Sequence, residues 1–157
     1  MKTLPKISLR KASFSDIEFL WYLRNQPDVY KYFKNPKSIS WQEHINWILP
    51  IILGINNKRE LFIIKNSTTP IGQIRIDYNN QNEAEVSIST LKEFQGKGFA
   101  TQALNSVIKK IKKQKMVKRL IAEIHKENLL SIRFFGKFNF EFKQKRGNWL
   151  QYTLTLK

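Results

Sequence analysis

Two glycines stand where the sequence pattern changes from a strand to a helix. Gly96 and Gly98 follow an alternating segment that ends at Thr90, and they precede a helical pattern that starts at Ala100. Glycine allows backbone conformations and close ligand approaches that other residues do not. The first N–H groups of a helix have no partners within it, so such a turn favours a bound phosphate group. Lys97 adds a positive charge beside these amides.

The spacing of this turn excludes two common phosphate-binding motifs. Neither Gly-x-x-x-x-Gly-Lys nor Gly-x-Gly-x-x-Gly occurs in the chain, so a P-loop and a dinucleotide fingerprint are both absent. Taken alone, the Gln95–Ala100 turn is equally well interpreted as an ordinary connection between a strand and a helix.

Two carboxylates and two histidines complete the reactive residues. Glu85 falls on the segment 83–90, and Glu123 alternates with His125, so the latter two share a strand face. Either glutamate could act as a base, or could simply pair with one of the many lysines. With no cysteine, and with only His44 and His125 as histidines, the chain predicts no disulfide, no thiol nucleophile and no metal site.

The elements that position these residues follow from periodicity and turn chemistry. Period-two alternation predicts strands at Lys6–Arg10, Glu60–Lys65, Ile71–Tyr78, Glu83–Thr90, Leu120–Ile124, Phe140–Lys145 and Trp149–Leu156. The cluster 79–82 predicts a hairpin turn.

Capping and 3.6-residue spacing predict the helices. Ser15 with Glu18, and Ser40 with Glu43, are predicted capping boxes for two helices. The first is predicted to end at Pro27, before a loop at 27–38, and Pro50 is predicted to kink or stop the second. A long amphipathic helix is predicted for Ala100–Ile111, and Asn128 is predicted to cap a short helix that ends near a left-handed Asn139. Trp41 is predicted to lie in the core.

The resulting order predicts an α+β fold, with a mixed sheet and a β-α-β unit, in a single domain over residues 1–157. The longest apolar stretch, from Trp47 to Ile55, is shorter than the roughly 20 residues of a membrane span. Residues 1–5 precede no apolar run, so no signal peptide is predicted. The sequence therefore predicts a cytoplasmic protein without a membrane partner.

The net charge is strongly positive, with 28 Lys and Arg against 12 Asp and Glu. Such a charge attracts nucleotides, phosphorylated cofactors, RNA and ribosomes, although an even spread of lysines is also explained by a general compositional bias. The densest basic run is predicted to be a solvated helix face, with RNA, ribosome or 3′-phosphate binding as the alternative; it comprises Lys109, Lys110, Lys112, Lys113, Lys115, Lys118 and Arg119.

In this context the turn resembles the GNAT superfamily of N-acetyltransferases, and the resemblance covers essentially the whole chain. The family element Gln/Arg-x-x-Gly-x-Gly/Ala matches Gln95, Gly98 and Ala100, and its asparagine before the last helix matches Asn128. Segments Arg24–Val29 and Ile39–Trp47 resemble a subgroup of ribosomal-protein-type and amino-sugar-nucleotide N-acetyltransferases.

The resemblance implies the family's mostly antiparallel sheet, with helices on both faces and a splayed parallel pair of strands. It implies acetyl-CoA as co-substrate and no metal. The strand Glu85–Thr90, beside a bulge, would hold the pantetheine arm through its main chain, and a main-chain N–H there would meet the developing oxyanion. The cofactor-binding residues so implied are Ile88, Ser89, Thr90, Gln95, Gly96, Lys97, Gly98, Phe99, Ala100, Thr101, Asn128 and Phe135.

Catalytic residues are implied in the same way. Glu123 is the first candidate for the base that deprotonates the acceptor amine, and Glu85 is its rival. The family's general acid is a tyrosine at the position of Phe135, which has no proton to give. Water, Ser131, Tyr152 or an unassisted thiolate departure would then replace it.

The acceptor is expected to lie over the N-terminal helices. Arg24, His44 and Trp47 are the predicted substrate-binding residues, with Tyr30, Tyr32 and Phe33 as further aromatic surfaces. The preferred acceptor is a small amine such as an amino-sugar nucleotide, acted on by a monomer or homodimer. A protein N-terminus reached through ribosome or RNA contact is one alternative. A non-catalytic binding module for acetyl-CoA or RNA is the other.

Overall fold

The computed structural model describes residues 6–79 and 81–157. The segment 1–5 therefore lies outside the described residues, as does residue 80 of the predicted turn. Within them the strands are β1 (Ile7–Lys11), β2 (Arg59–Asn66), β3 (Thr69–Tyr78), β4 (Glu83–Thr90), β5 (Arg119–His125), β6 (Glu141–Arg146) and β7 (Trp149–Thr155). The α-helices are α1 (Ile17–Arg24), α2 (Pro27–Tyr30), α3 (Trp41–Ile52), α4 (Phe99–Gln114) and α5 (Leu129–Lys137).

The described strands form one sheet in the order β1-β2-β3-β4-β5-β7-β6. Among the described strands only β4 and β5 run parallel, and their pairing covers three residues, from Glu83 opposite Arg119 to Glu85 opposite Ile121. Beyond this point the two strands diverge. The predicted mixed, mostly antiparallel sheet with a splayed parallel pair is therefore confirmed.

The sheet is covered on both faces, as predicted. On one face α4 and α5 pack over the main core, in which Ile74, Val107 and Leu120 are almost fully buried. On the other face a smaller core joins α1 and α3 to β2 through Ile48 and Ile63. On this second face α1 also contacts β3, and the polar side chains of β3, β4 and β5, among them Asp77, Glu85 and Glu123, lie on the same face.

The helix starts differ from the predictions in two places. Asp16, and not Glu18, completes the first capping box, with Ser13 as its partner, because Asp16 also accepts a bidentate pair of bonds from Arg10 at 2.6 and 2.7 Å. Pro27 does not simply end α1; it opens the short helix α2. Proline suits a first helical position, where its missing N–H is not needed.

The second helix also corrects two predictions. Ser40 caps α3 by accepting from the Glu43 N–H, as expected. Pro50 lies inside the helix, which continues to Ile52, so a stop at Pro50 is wrong and a kink there stays a prediction. Trp41 is 44% exposed, so its predicted core position is wrong. It stands in the first turn and packs edge-on against Trp21, with ring centroids 5.3 Å apart.

Candidate active site

The glycine turn opens α4 as the residue types predict. Gly96 and Gly98 have φ angles of 72° and 83°, in the left-handed region that favours glycine, and Gly98 is the N-cap of the helix. The first helical bond is donated by Gln102 to the Gly98 carbonyl at 3.2 Å, so the amides of 99–101 precede the bonding pattern of the helix. The first turn of α4 carries no acidic side chain, so nothing there competes with an anion.

Gln95 connects this turn to two other elements. Its Nε2 lies 3.2 Å from the Thr90 carbonyl, which accepts a hydrogen bond, and 3.4 Å from Asp28 Oδ2 on α2. The side chain therefore braces the end of β4. Lys97 lies beside it, with its Nζ 6.0 Å from the centroid of the Phe94 ring. The sequence did not predict the contact with Asp28, because it did not predict the helix α2.

The C-terminal end of β4 packs closely against β3. Its register with β3 runs without a shift from Gly72 opposite Thr90 to Tyr78 opposite Ala84, so this pairing holds no bulge. A register shift does occur in the next pairing, between β3 and β2 at Ile64 and Lys65. Gly72 is buried, and a Cβ added there would meet the Ser89 carbonyl oxygen at 2.4 Å. The backbone at 88–90, which was predicted to contact the cofactor, is thus fixed by close packing against β3.

Three carboxylates from neighbouring strands share one sheet face. Asp77 is directly opposite Glu85, and Glu123 stands two residues beyond Ile121, the parallel partner of Glu85. Burial raises the pKa of Glu85, and the negative charges of Asp77 and Glu123 raise it further. Arg75 and Lys34 partly oppose this shift in the pKa. Glu85 is therefore a carboxylate whose proton affinity is increased by its surroundings.

The other two carboxylates are paired more directly. Asp77 forms ion pairs with Arg59 at 3.2 Å and Arg75 at 3.1 Å. Glu123 Oε1 accepts a hydrogen bond from Gln151 Nε2 at 3.0 Å. The cluster thus contains one carboxylate neutralised by arginines, one fixed by an amide, and one, Glu85, with raised proton affinity.

A cluster of aromatic rings packs at the C-terminal end of β5. His125 stacks on Tyr32, with centroids 5.6 Å apart, and meets Trp149 edge-on at 5.4 Å. Lys34 Nζ lies 5.5 Å from the Trp149 centroid. The Nδ1 atom of His125 accepts from the Glu127 N–H at 3.2 Å, which fixes the orientation of the ring. The segment that follows α2 therefore lies beside the strand that carries Glu123.

The three predicted substrate residues occupy different environments. Arg24 donates to the carbonyls of Lys37 and Asn35 at 3.0 and 3.2 Å and stacks over Phe33, so it organises the loop before α3. His44 is only 1% exposed, and its Nε2 lies 2.9 Å from the Ile17 carbonyl. This burial gives the ring a role in joining α3 to α1, and it does not favour the predicted substrate contact.

Trp47 is nearer to the carboxylate cluster. Its ring lies 5.6 Å from the guanidinium of Arg75 and 6.0 Å from that of Arg59, the two partners of Asp77. Trp47 therefore packs against the arginines that neutralise Asp77. Its contact with substrate stays a prediction.

On the other side of the sheet, Asn128 caps α5 by accepting from the Ser131 N–H at 3.2 Å. Phe135 is 4% exposed and packs edge-on against Phe134 and Phe140. The ring that stands at the expected acid position is therefore a core residue. Tyr152, an alternative acid, packs edge-on against Phe142 at 5.7 Å.

Several site residues were missed by the sequence analysis. Alternation on β3 would have placed Arg75 and Asp77 on one face, but only the pairing of β3 with β4 brings that face to Glu85. Gln151 could not be found locally, because β7 pairs with β5 across an intervening helix and strand.

The predicted solvated helix face is only partly correct. Among the basic run, Lys110 bonds both Glu60 carboxylate oxygens at 3.2 and 3.3 Å, and Arg119 pairs with Glu83. The remaining lysines of α4 are exposed. Within residues 6–79 and 81–157, no helix is long and apolar enough to cross a membrane. Nor does this part of the chain group three or more His, Cys, Asp or Glu side chains suitable for a metal ion.

Known proteins share both the sequence pattern and the fold. A sequence profile of the acetyltransferase (GNAT) domain matches residues 6–141. An uncharacterized protein of Methanocaldococcus jannaschii is 27% identical over 147 residues, which are 90% of this chain but 29% of that protein. The chain thus spans less than a third of the curated relative that it matches.

Solved structures agree over most of the chain. A domain from Methanocaldococcus jannaschii superposes with a TM-score of 0.85 at 27% identity, covering 96% of this chain and 99% of that one. Spermidine N-acetyltransferase from Vibrio cholerae, solved with CoA and spermine, superposes with a TM-score of 0.82 at 20% identity and covers 95% of each chain.

Proposed function

The chain belongs to the acetyltransferase (GNAT) family, and from that premise we propose that it transfers the acetyl group of acetyl-CoA to a primary amine by direct attack. One observation carries this proposal: two features lie on either side of the region where β4 and β5 diverge. A glycine turn with unbonded helix amides lies at the end of β4, and a carboxylate cluster lies where the two strands meet.

The residues of the turn fit an anionic, extended co-substrate. The amides of 99–101, with Lys97 beside them, suit a pyrophosphate. The diverging edge of β4 at 88–90 offers main-chain groups that suit the amides of a pantetheine arm. Gln95 and Asn128 brace the two flanking elements. When bound, acetyl-CoA supplies the activated acetyl thioester.

Glu85 and Glu123 divide the work at the amine in this proposal. Glu123 attracts the ammonium form of the acceptor, and Glu85, whose pKa is raised, takes up the proton that the amine must lose before attack. A base with increased proton affinity is better matched to neutral pH than an ordinary carboxylate. This assignment reverses the order of preference that the sequence suggested, and the reason is the raised pKa.

No tyrosine hydroxyl is available at the position of Phe135, because the phenylalanine ring is buried among others. We propose that a water molecule passes the proton that the attacking nitrogen loses on amide formation to the departing thiolate, which is a tolerable leaving group even without a general acid.

The acceptor that best fits the site is a small amine carried on an anionic or aromatic group, such as an amino-sugar nucleotide. Tyr32 and Trp149 pack against His125, two residues after Glu123 on the same strand face, and Lys31 and Lys34 lie over these rings and add positive charge there. This combination suits a base or sugar with phosphate, whereas it opposes a polycation. The acceptor of the Vibrio cholerae enzyme, which was solved with spermine, is therefore not our first choice for this chain.

A protein N-terminus is the second candidate acceptor. The exposed lysines of α4, together with the net charge of +16, would attract a ribosome or RNA and bring the enzyme to newly made protein.

The test begins with cofactor binding and then compares acceptors. Acetyl-CoA at a hundred times its Kd should stabilise the fold by about 2.7 kcal/mol in a thermal-shift assay. Labelled acetyl-CoA is then incubated with an amino-sugar nucleotide, a ribosomal-protein N-terminal peptide and spermine. Preferred turnover of the sugar nucleotide is expected. Binding without turnover of any amine would favour the non-catalytic module, and equal trace turnover of all three would contradict the proposed acceptor.

A further inference from the structure

Two side-chain amides connect the edge of the sheet to Glu123. Gln144 Nε2, on the edge strand β6, lies 3.1 Å from Gln151 Oε1, and Gln151 Nε2 lies 3.0 Å from Glu123 Oε1. Both glutamines are half-buried. We call this pair, Gln144 and Gln151, the amide relay.

A bulge in β6 makes the relay possible. The register steps from Phe142 opposite Tyr152 to Gln144 opposite Gln151, so Lys143 has no partner. Without that step Lys143 would stand opposite Gln151, and Gln144 would point to the other sheet face. The extra residue therefore aims Gln144 at the side chain that touches Glu123.

The relay has a direction. A glutamine amide has a donor end and an acceptor end that exchange when it flips, whereas an ionised carboxylate only accepts. The donor of Gln144 occupies the acceptor end of Gln151, so the donor end of Gln151 is turned toward Glu123. Among the described residues, the second carboxylate oxygen of Glu123 has no hydrogen bond or ion pair.

We infer that Gln144 and Gln151 are positioning residues that fix Glu123 for the acceptor. The relay holds Oε1 and presents Oε2 to the ammonium group of the incoming amine. This inference rests on the proposed function of Glu123 as the group that attracts the acceptor. It adds that specificity for the amine depends on a side chain at the sheet edge that does not touch the substrate.

One substitution removes the donor that sets the direction of the relay. Gln144→Glu has nearly the same size but only accepts, so it competes with Glu123 for the donor end of Gln151 and weakens the bond to Glu123. Gln144→Lys only donates and preserves the direction. Matched controls change the charge by the same amount nearby: Lys143→Gln for the first variant, and Glu141→Gln for the second, both at exposed positions of β6.

The expected result is a change confined to the acceptor. Gln144→Glu should raise the acceptor KM by about 2- to 12-fold, the range expected for one lost hydrogen bond, and it should leave the Kd for acetyl-CoA unchanged. Gln144→Lys should stay within about twofold of the parent, as should both controls. Equal effects of Gln144→Glu and Gln144→Lys, or of Gln144→Glu and Lys143→Gln, would overturn the inference.

A second measurement does not require activity. In the free protein, the side-chain amide signals of Gln151 in a ¹H–¹⁵N spectrum should shift strongly in Gln144→Glu and little in Lys143→Gln. Similar small shifts in both variants would show that the relay does not exist. If the parent acetylates no amine, the proposed function fails, and the spectrum still decides whether the relay is present.

Discussion

Gly72 offers a direct test of how β4 is positioned. A Cβ at this position would lie 2.4 Å from the Ser89 carbonyl oxygen, 2.9 Å from Thr90 Cγ2 and 3.0 Å from Thr90 Cα. A Cβ atom essentially never lies within 3.0 Å of a neighbouring atom, so Gly72→Ala requires the backbone of β3 or β4 at this point to shift by about 0.6 Å. The displaced backbone is the segment 88–90 proposed to hold the pantetheine arm.

The size of the effect follows from overpacking. Forcing a methyl group into a close-packed site costs about 1–3 kcal/mol. For a chain of this length each kcal/mol lowers the Tm by about 2–4 °C, so a fall of about 2–12 °C is expected. If one main-chain hydrogen bond to CoA is lost as well, the Kd rises by about 2- to 12-fold.

Calorimetric titration with CoA, together with thermal unfolding, checks both quantities. Gly136→Ala is the matched control, because a Cβ there meets nothing within 4 Å and the residue lies within α5. This control should gain about 0.5–1 kcal/mol from helix propensity and bind CoA as the parent does. A Gly72→Ala protein with a lowered Tm but an unchanged Kd would refute the role of 88–90, and an unchanged Tm would refute the packing argument.

Three further variants, at Glu85, Phe135 and His44, test the site. Glu85→Gln should lower kcat by about 10²- to 10⁴-fold if Glu85 is the base, and unchanged turnover would move that role to Glu123 or water. Because the folded state raises the pKa of Glu85, its ionisation destabilises the fold as the pH rises above the ordinary glutamate value. The same variant should therefore have a higher Tm than the parent at pH 7, and this gain should disappear toward pH 4. Phe135→Tyr should lower the Tm, since it places a hydroxyl in an apolar cluster at a cost of about 1–3 kcal/mol; a rise in kcat would instead show that a missing acid limits the parent. His44→Leu should abolish the stability loss on acidification below about pH 6.5 that comes from a buried histidine with a lowered pKa, measured as Tm against pH.

Local signals were sufficient for most of the fold. Periodicity found every strand to within two residues, and Ser40 and Asn128 were correctly predicted as caps, because these patterns depend only on neighbours in sequence. The first cap was misplaced because Arg10, six residues earlier, selects Asp16. Trp41 was misjudged because helical spacing identifies a face but not what covers it.

The site was less predictable than the fold. The glycine turn could be predicted because glycine is the residue that adopts positive φ angles without a steric cost. The pKa of Glu85 is raised first by burial and then by the charges of Asp77 and Glu123, which lie near it only through sheet pairing. The position of Gln144 beside Gln151 depends in addition on a bulge in β6, which no local sequence pattern predicts.

The short pairing of β4 with β5 also limits how far a ligand can enter between the two strands. The strands part after Glu85 and Ile121, and β4 continues for five residues to Thr90, on the order of 17 Å at the usual rise per residue. In the proposed mode of binding, an extended ligand that enters at Thr90 would advance no farther than the point where the strands meet. Its reactive end would then lie beside the two glutamates. We expect a longer acyl group to be rejected because it would have to force this junction apart.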